Sequence, residues 1–202
     1  MNYLAHAYLS FHQPDLLLGN MMSDFVKGKQ QFEYPITIQQ GIQLHRAIDH
    51  FTDNHIATKD AKEIFRPQYR LYSAALVDIV YDHFLATSSQ EFPDFSLHSF
   101  CDETYQQLDQ NKSYFHSKFA VMYDYMKRDN WLFNYHKFDG VLFSFRGLVK
   151  RAQYMDSHEP AFEAFQKNYK TLKICYDYFF PELKQFTLKW IEKNNIILDL
   201  ED

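Results

Sequence analysis

Gly41-Ile42-Gln43-Leu44-His45-Arg46-Ala47-Ile48-Asp49-His50-Phe51-Thr52-Asp53 carries two patterns at once. Leu44, Ile48 and Phe51 are spaced by four and three, the period of one apolar helix face, and Pro35 introduces a helix predicted from Ile36 to Asp53. His45 and Asp49 are also four apart, so they point the same way, and Asp53 continues the column one turn later. This polar column borders the apolar face, where a cleft meets a core. An imidazole and a carboxylate one turn apart make a clip for a divalent metal. A His–Asp hydrogen bond at the surface explains the same spacing, and this segment alone leaves both open.

The helical period extends in both directions. Met1–Ser10 reads as a short helix or turn, and Asp15–Lys27 as a helix closed by Gly28. Downstream, Thr58 caps a helix running to Phe65, with Pro67 as its interruption, and Tyr69–Ala86 follows. Ser96 is placed to cap Leu97–Gln110; Ser113–Arg128 and Phe138–Gln153 come next, then a pair over Pro160–Phe179 and Pro181–Lys193. The alternation expected of strands is absent. The expectation is an all-α, single globular helical domain over residues 1–202, with roughly seven to nine helices.

Composition agrees. The 202 residues include only 5 Gly and 6 Pro, few for a fold of tight turns, and 46% hydrophobic residues are enough for a core. The 20 Phe and 15 Tyr read as aromatic replacements for Leu in helix seams. Stacking on nucleobases is the alternative, but a net charge of −5 argues against a nucleic-acid partner. Cys101 and Cys175 match no metal or redox spacing and read as thiols of a reducing compartment. No apolar stretch reaches the roughly 18 residues of a membrane span, so a cytoplasmic protein without a membrane partner is expected. The sequence sets no oligomeric state.

Three further polar sites interrupt apolar helix borders. Asp78 and Asp82 are one turn apart in a helix otherwise built from Leu, Val, Ile, Ala and Tyr, with His83 next to Asp82. Two stacked carboxylates there call for a cation between them, whether a metal or an arginine such as Arg46 or Arg70. Asn20 and Asp24 have the same spacing among Leu, Met, Phe and Val neighbours. His6 sits in the apolar run Tyr3–Leu9, where a satisfied core histidine is the plain alternative. Together these segments supply His and Asp without thiolates, a set suited to Mn²⁺, Fe²⁺, Co²⁺ or Zn²⁺ in a hydrolytic site rather than to structural zinc.

The same residues carry a resemblance. Met1-Asn2-Tyr3-Leu4-Ala5-His6, Gly19-Asn20 through Asp24-Phe25-Val26-Lys27-Gly28, Gly41 through Asp49 with Thr52-Asp53, and Asp78 through Asp82-His83-Phe84-Leu85 resemble the acyl carrier protein phosphodiesterase family in order and spacing. The specific motifs lie within residues 1–85; the remainder is similar in length and helical character. That family is regarded as a divergent relative of the HD-domain phosphohydrolases. The resemblance implies an HD-domain-like helical fold and Mn²⁺-dependent hydrolysis of the phosphodiester between 4′-phosphopantetheine and a serine of holo-acyl carrier protein. It implies His6, Asp24, His45, Asp49 and Asp82 as metal ligands, with Asp78 as a further ligand or an orienting carboxylate. Asn20 and His83 would position water or protonate the leaving oxygen, and Arg46 would offset phosphoryl charge. The sequence departs from HD relatives in having no adjacent His-Asp dipeptide.

Acyl carrier protein is acidic, as is this chain, so docking calls for a local basic surface. Lys27 with Lys29, and Arg146 with Lys150 and Arg151, are the candidate patches; ordinary solvated charge is their alternative. Two other functions fit a His/Asp set on a helical scaffold: a metal-dependent phosphohydrolase acting on nucleotides, and a non-catalytic binding module.

Overall fold

The computed structural model describes residues 1–198, the side chain of Phe95 apart. Its elements are α1 (Tyr3–Tyr8), α2 (Pro14–Met22), α3 (Ile36–Asn54), α4 (Ile56–Tyr69), α5 (Ser73–Ala86), α6 (Leu97–Gln110), α7 (Ser117–Arg128), α8 (Trp131–Asn134), α9 (Phe138–Arg151), α10 (Glu159–Lys167) and α11 (Tyr169–Lys193). Short 3₁₀ turns join several of them, and no strand occurs among the described residues.

The most extensive helix contact is α2 against α3, and two glycines permit their close approach. A Cβ on Gly19 would meet the carbonyl oxygen of Ile38 and stand 2.8 Å from the Cα of Gly41. A Cβ on Gly41 would stand 2.9 Å from the Cα of Gly19. With hydrogen in both places the two backbones touch, and Leu16, Leu17 and Leu18 of α2 and Ile38, Ile42 and Leu44 of α3 are all buried in the core. α2 ends at Met22, earlier than the sequence suggests. Residues 23–25 form a 3₁₀ turn and Val26 is extended, so Asp24 leaves the face that Asn20 occupies.

Several helix ends differ from the sequence reading, α4 among them, which runs through Pro67 to Tyr69. His55, not Thr58, caps α4: its Nδ1 accepts the N–H of Ala57, and Thr58 is buried. Ser96 makes no side-chain cap. The C-terminal pair breaks at Asn168, and α11 runs straight through Pro181. An interior proline costs about 3 kcal/mol. Here Leu172, Tyr176 and Phe179 before it, and Leu183 and Ile191 after it, are all buried on one core, so packing on both sides holds the helix together.

Aromatic rings fill the seams, as their number suggests. Tyr81 stacks on Phe179 with centroids 5.0 Å apart, and Phe51 of α3 stacks on Phe186 of α11 at 4.6 Å. One polar tie joins the first helix to the last: Lys184 of α11 donates to the Tyr8 hydroxyl (2.9 Å) and to Glu91 (2.6 Å), while Tyr8 itself donates to Glu91.

Candidate metal centre

The convergence begins at the α2–α3 contact. His45 is one turn beyond Gly41, and its Nδ1 lies 2.7 Å from the backbone carbonyl of Asn20, the residue after Gly19. His6 of α1 packs over it, with the two rings 4.0 Å apart and 14° from parallel. Both imidazoles are buried, and both Nε2 atoms lack a hydrogen-bond partner. They face Asp49: His6 Nε2 is 3.2 Å from its Oδ1 and His45 Nε2 is 3.1 Å from its Oδ2. Asp24, on the 3₁₀ turn after α2, comes to 3.3 Å from His45 Nε2.

His6, His45 and Asp49 form a group whose ligand atoms lie within 4.8 Å of one another, able to hold a metal ion. The chemistry of the set fits a divalent cation. A carbonyl only accepts, so His45 gives its Nδ1–H to Asn20 and a neutral ring presents a bare Nε2 to the carboxylates. Lone pair facing carboxylate is repulsive unless a proton or a cation stands between them. In the protein alone that proton rests on His45. Burial would lower its pKa, but Asp24 and Asp49 overrule it and hold it at about 9. Burial and the neighbouring His45 push His6 down to about 4. Asp49 is held well below the usual carboxylate range: burial would raise it, but the α-amino group of Met1 and the two imidazoles prevail. Asp24 is lowered by the nearby imidazole of His45.

A cleft of about 330 Å³ opens on this group, lined by Ser23, Asp24, Val26, Lys27, Gly28, His45, Arg46 and Asp49. Arg46 stands in its wall. Its guanidinium donates to the Gln31 side chain at 2.9 Å and to the Val26 carbonyl at 3.3 Å, which fixes its direction while leaving it exposed. Lys27 lies on the same rim, and Lys29 is exposed two residues on.

The remaining expected residues are placed elsewhere. Asp82 is fully buried, and its oxygens accept the N–H groups of Leu4 (2.8 Å) and Ala5 (3.3 Å), tying α5 to the start of α1. Burial lifts its pKa to about 7 against those two donors. The cation beside Asp78 is not Arg46, which is turned to Gln31 and Val26. It is the α-amino group of Met1, 3.1 Å from Asp78 and 3.4 Å from Asp49. Burial would lower that amine, but Asp78, Asp49 and Asp82 raise it to about 11. His83 is occupied at both nitrogens, by the Tyr135 carbonyl (2.8 Å) and the Tyr169 hydroxyl (3.1 Å), inside a cage of Phe84, Phe138 and Phe165. Asp53 bonds Lys62 at 2.7 Å. Arg146 gives its Nε–H to His158, whereas Lys150 and Arg151 are exposed at the end of α9. Ser10, unmarked by any sequence pattern, belongs to the cluster through Asn20.

The family model described as acyl carrier protein phosphodiesterase matches residues 1–183. Curated relatives bearing that name include one from Klebsiella pneumoniae (strain 342), 33% identical over 184 residues, which covers 91% of this chain and 95% of the relative. One from Photorhabdus laumondii is 28% identical over 186 residues, covering 92% and 94%, and one from Yersinia pestis is 30% identical over 184 residues, covering 91% and 95%. No solved structure matches. No helix among the described residues is long and apolar enough to cross a membrane.

Proposed function

The chain belongs to the acyl carrier protein phosphodiesterase family, and from that premise we propose that it releases 4′-phosphopantetheine from holo-acyl carrier protein at a metal held by His6, His45, Asp49 and Asp24. Water cleaves the bond to the carrier serine, leaving apo-carrier protein and 4′-phosphopantetheine. The observation that carries the reading is the pair of buried, unpartnered Nε2 atoms converging on Asp49. When bound, a divalent ion, Mn²⁺ by the family resemblance and one of several that mixed nitrogen and oxygen donors accept, would supply an acidified water and charge at a phosphoryl oxygen.

The chain's own groups do the rest. Arg46, steered by Val26 and Gln31, presents its free N–H groups to the phosphoryl oxygens across the cleft. Asp49 is kept ionised by the Met1 amine and Asp78 lies behind that amine, so ligand charge is fixed before substrate arrives. Asp82 supports α1 and thereby His6. Lys27 and Lys29 on the rim, with Lys150 and Arg151 beyond, offer the positive surface for an acidic carrier protein in the cytoplasm.

The test is the intact mass of holo-acyl carrier protein after incubation with the protein, with Mn²⁺ and with chelator. Loss of the phosphopantetheine mass with metal alone is expected, and His45→Ala and Asp49→Asn should abolish it. No loss with any divalent metal would sink the reading and direct the search to small nucleotides.

A further inference from the structure

Asn20 has every polar position of its side chain committed, which excludes it from handling water or a leaving group. It is fully buried. Its Nδ2 donates to the His6 carbonyl (2.9 Å) and to Ser10 Oγ (3.1 Å). Those two acceptors fix which end of the amide is oxygen, and Oδ1 therefore faces His6 Nδ1 at 2.7 Å. An amide oxygen cannot donate, so the hydrogen of that bond sits on His6 Nδ1. The backbone carbonyl of the same residue takes the Nδ1–H of His45, also at 2.7 Å. One residue thus dictates the tautomer and the ring direction of two histidines from different helices.

We propose that Asn20 is the positioning residue of the site, holding the Nδ1–H on both His6 and His45 so that both Nε2 atoms are aimed at Asp49 before any ion arrives. This rests on the metal reading above for its purpose, though not for its geometry. Ser10 is the second part of the device: its hydroxyl donates to the His6 carbonyl at 2.8 Å while accepting from Asn20, and so keeps the amide from flipping. The backbone half of the arrangement depends on Gly19, whose missing side chain lets the Asn20 carbonyl reach α3.

The two halves separate by mutation. Asn20→Leu removes the His6 acceptor and keeps the carbonyl for His45. Asn20→Asp keeps an oxygen for His6 Nδ1. In metal-free protein at neutral pH, ¹⁵N NMR should find His6 as the Nδ1–H tautomer in the unaltered protein and in Asn20→Asp, and as a mixture in Asn20→Leu. Mn²⁺ titration followed by electron paramagnetic resonance should show affinity falling roughly 10–100-fold in Asn20→Leu, with partial recovery in Asn20→Asp. Ser10→Ala, the mildest change, should give a smaller loss of the same kind and decides the matter if Asn20→Leu does not fold. A His6 that stays Nδ1–H in Asn20→Leu, or in its place Ser10→Ala with tautomer and Mn²⁺ affinity both unchanged, overturns the inference. If the unaltered protein binds no divalent ion, the metal reading falls separately, and the tautomer measurement still judges Asn20.

Discussion

Gly19 and Gly41 meet backbone to backbone, each standing where the other's Cβ would need to be. The contact lies one residue from Asn20 and one turn from His45, so this close backbone approach is also the gauge that sets the His45–Asn20 bond at 2.7 Å.

Gly41→Ala should therefore cost stability and metal together. Overpacking against backbone that cannot yield costs about 1–3 kcal/mol or more, read as a lower midpoint in urea, and Mn²⁺ affinity should fall with it. Gly147→Ala is the control. It lies within α9 and a Cβ there meets nothing within 4 Å, so it should be neutral or stabilising by up to about 1 kcal/mol. Equal losses at the two positions would refute the gauge.

Asp82→Asn and His83→Gln should behave as stability variants. Each removes or weakens buried hydrogen bonds, worth about 1–3 kcal/mol where a partner is left unsatisfied. The fraction that folds should keep the KM of the unaltered protein, because neither side chain reaches the cleft. A selective fall in kcat for His83→Gln, with the unfolding midpoint unmoved, would return His83 to the chemistry.

The sequence made the His45–Asp49 pair legible where a single helix carried it, since the two needed only the helical period. It also made the all-α fold legible, because few breakers and the 3.6-residue pattern act locally. What it hid was non-local or not a side chain. The cation beside Asp78 is a backbone terminus, Asp82 is spent on the N–H groups of α1, and His83 is indistinguishable in a string from a ligand until its aromatic cage is built. Pro181 misled because local propensity was outweighed by packing along the whole of α11. Gly19 and Gly41 were the missed signal: glycine inside an apolar helix marks a close approach.

Acid should weaken the protein through Asp109, at the end of α6. Burial would raise its pKa, but bonds from Lys127, Tyr123 and Lys112 hold it at about 2. A group depressed in the folded state stabilises fully above its unfolded pKa and loses that contribution as pH falls through the folded value. Stability should thus decline between the ordinary carboxylate range and about 2, and Asp109→Asn should flatten that part of the curve. Thermal unfolding as a function of pH measures it, and an unchanged slope would remove Asp109 from the account.

Charge reversal at the cleft rim should act on encounter. Lys27→Glu with Lys29→Glu should raise the KM for holo-acyl carrier protein and reduce its salt dependence, with kcat little altered. Arg146→Glu with Lys150→Glu tests the second patch; because Arg146 is already engaged with His158, a smaller effect is expected. An unchanged KM at low salt for either pair takes that pair out of the docking surface.

The tie from Lys184 to Tyr8 and Glu91 bears on how far the enzyme can be reduced. Every proposed ligand falls before residue 50, which invites a minimal catalytic peptide. Yet α1, which carries His6, is six residues long and is clasped from behind by α11. A fragment holding all four ligands would lack both this clasp and the Asp82 carboxylate that seats the first turn of α1. The active unit is the closed loop of the chain, first helix against last, rather than the segment that contains the chemistry.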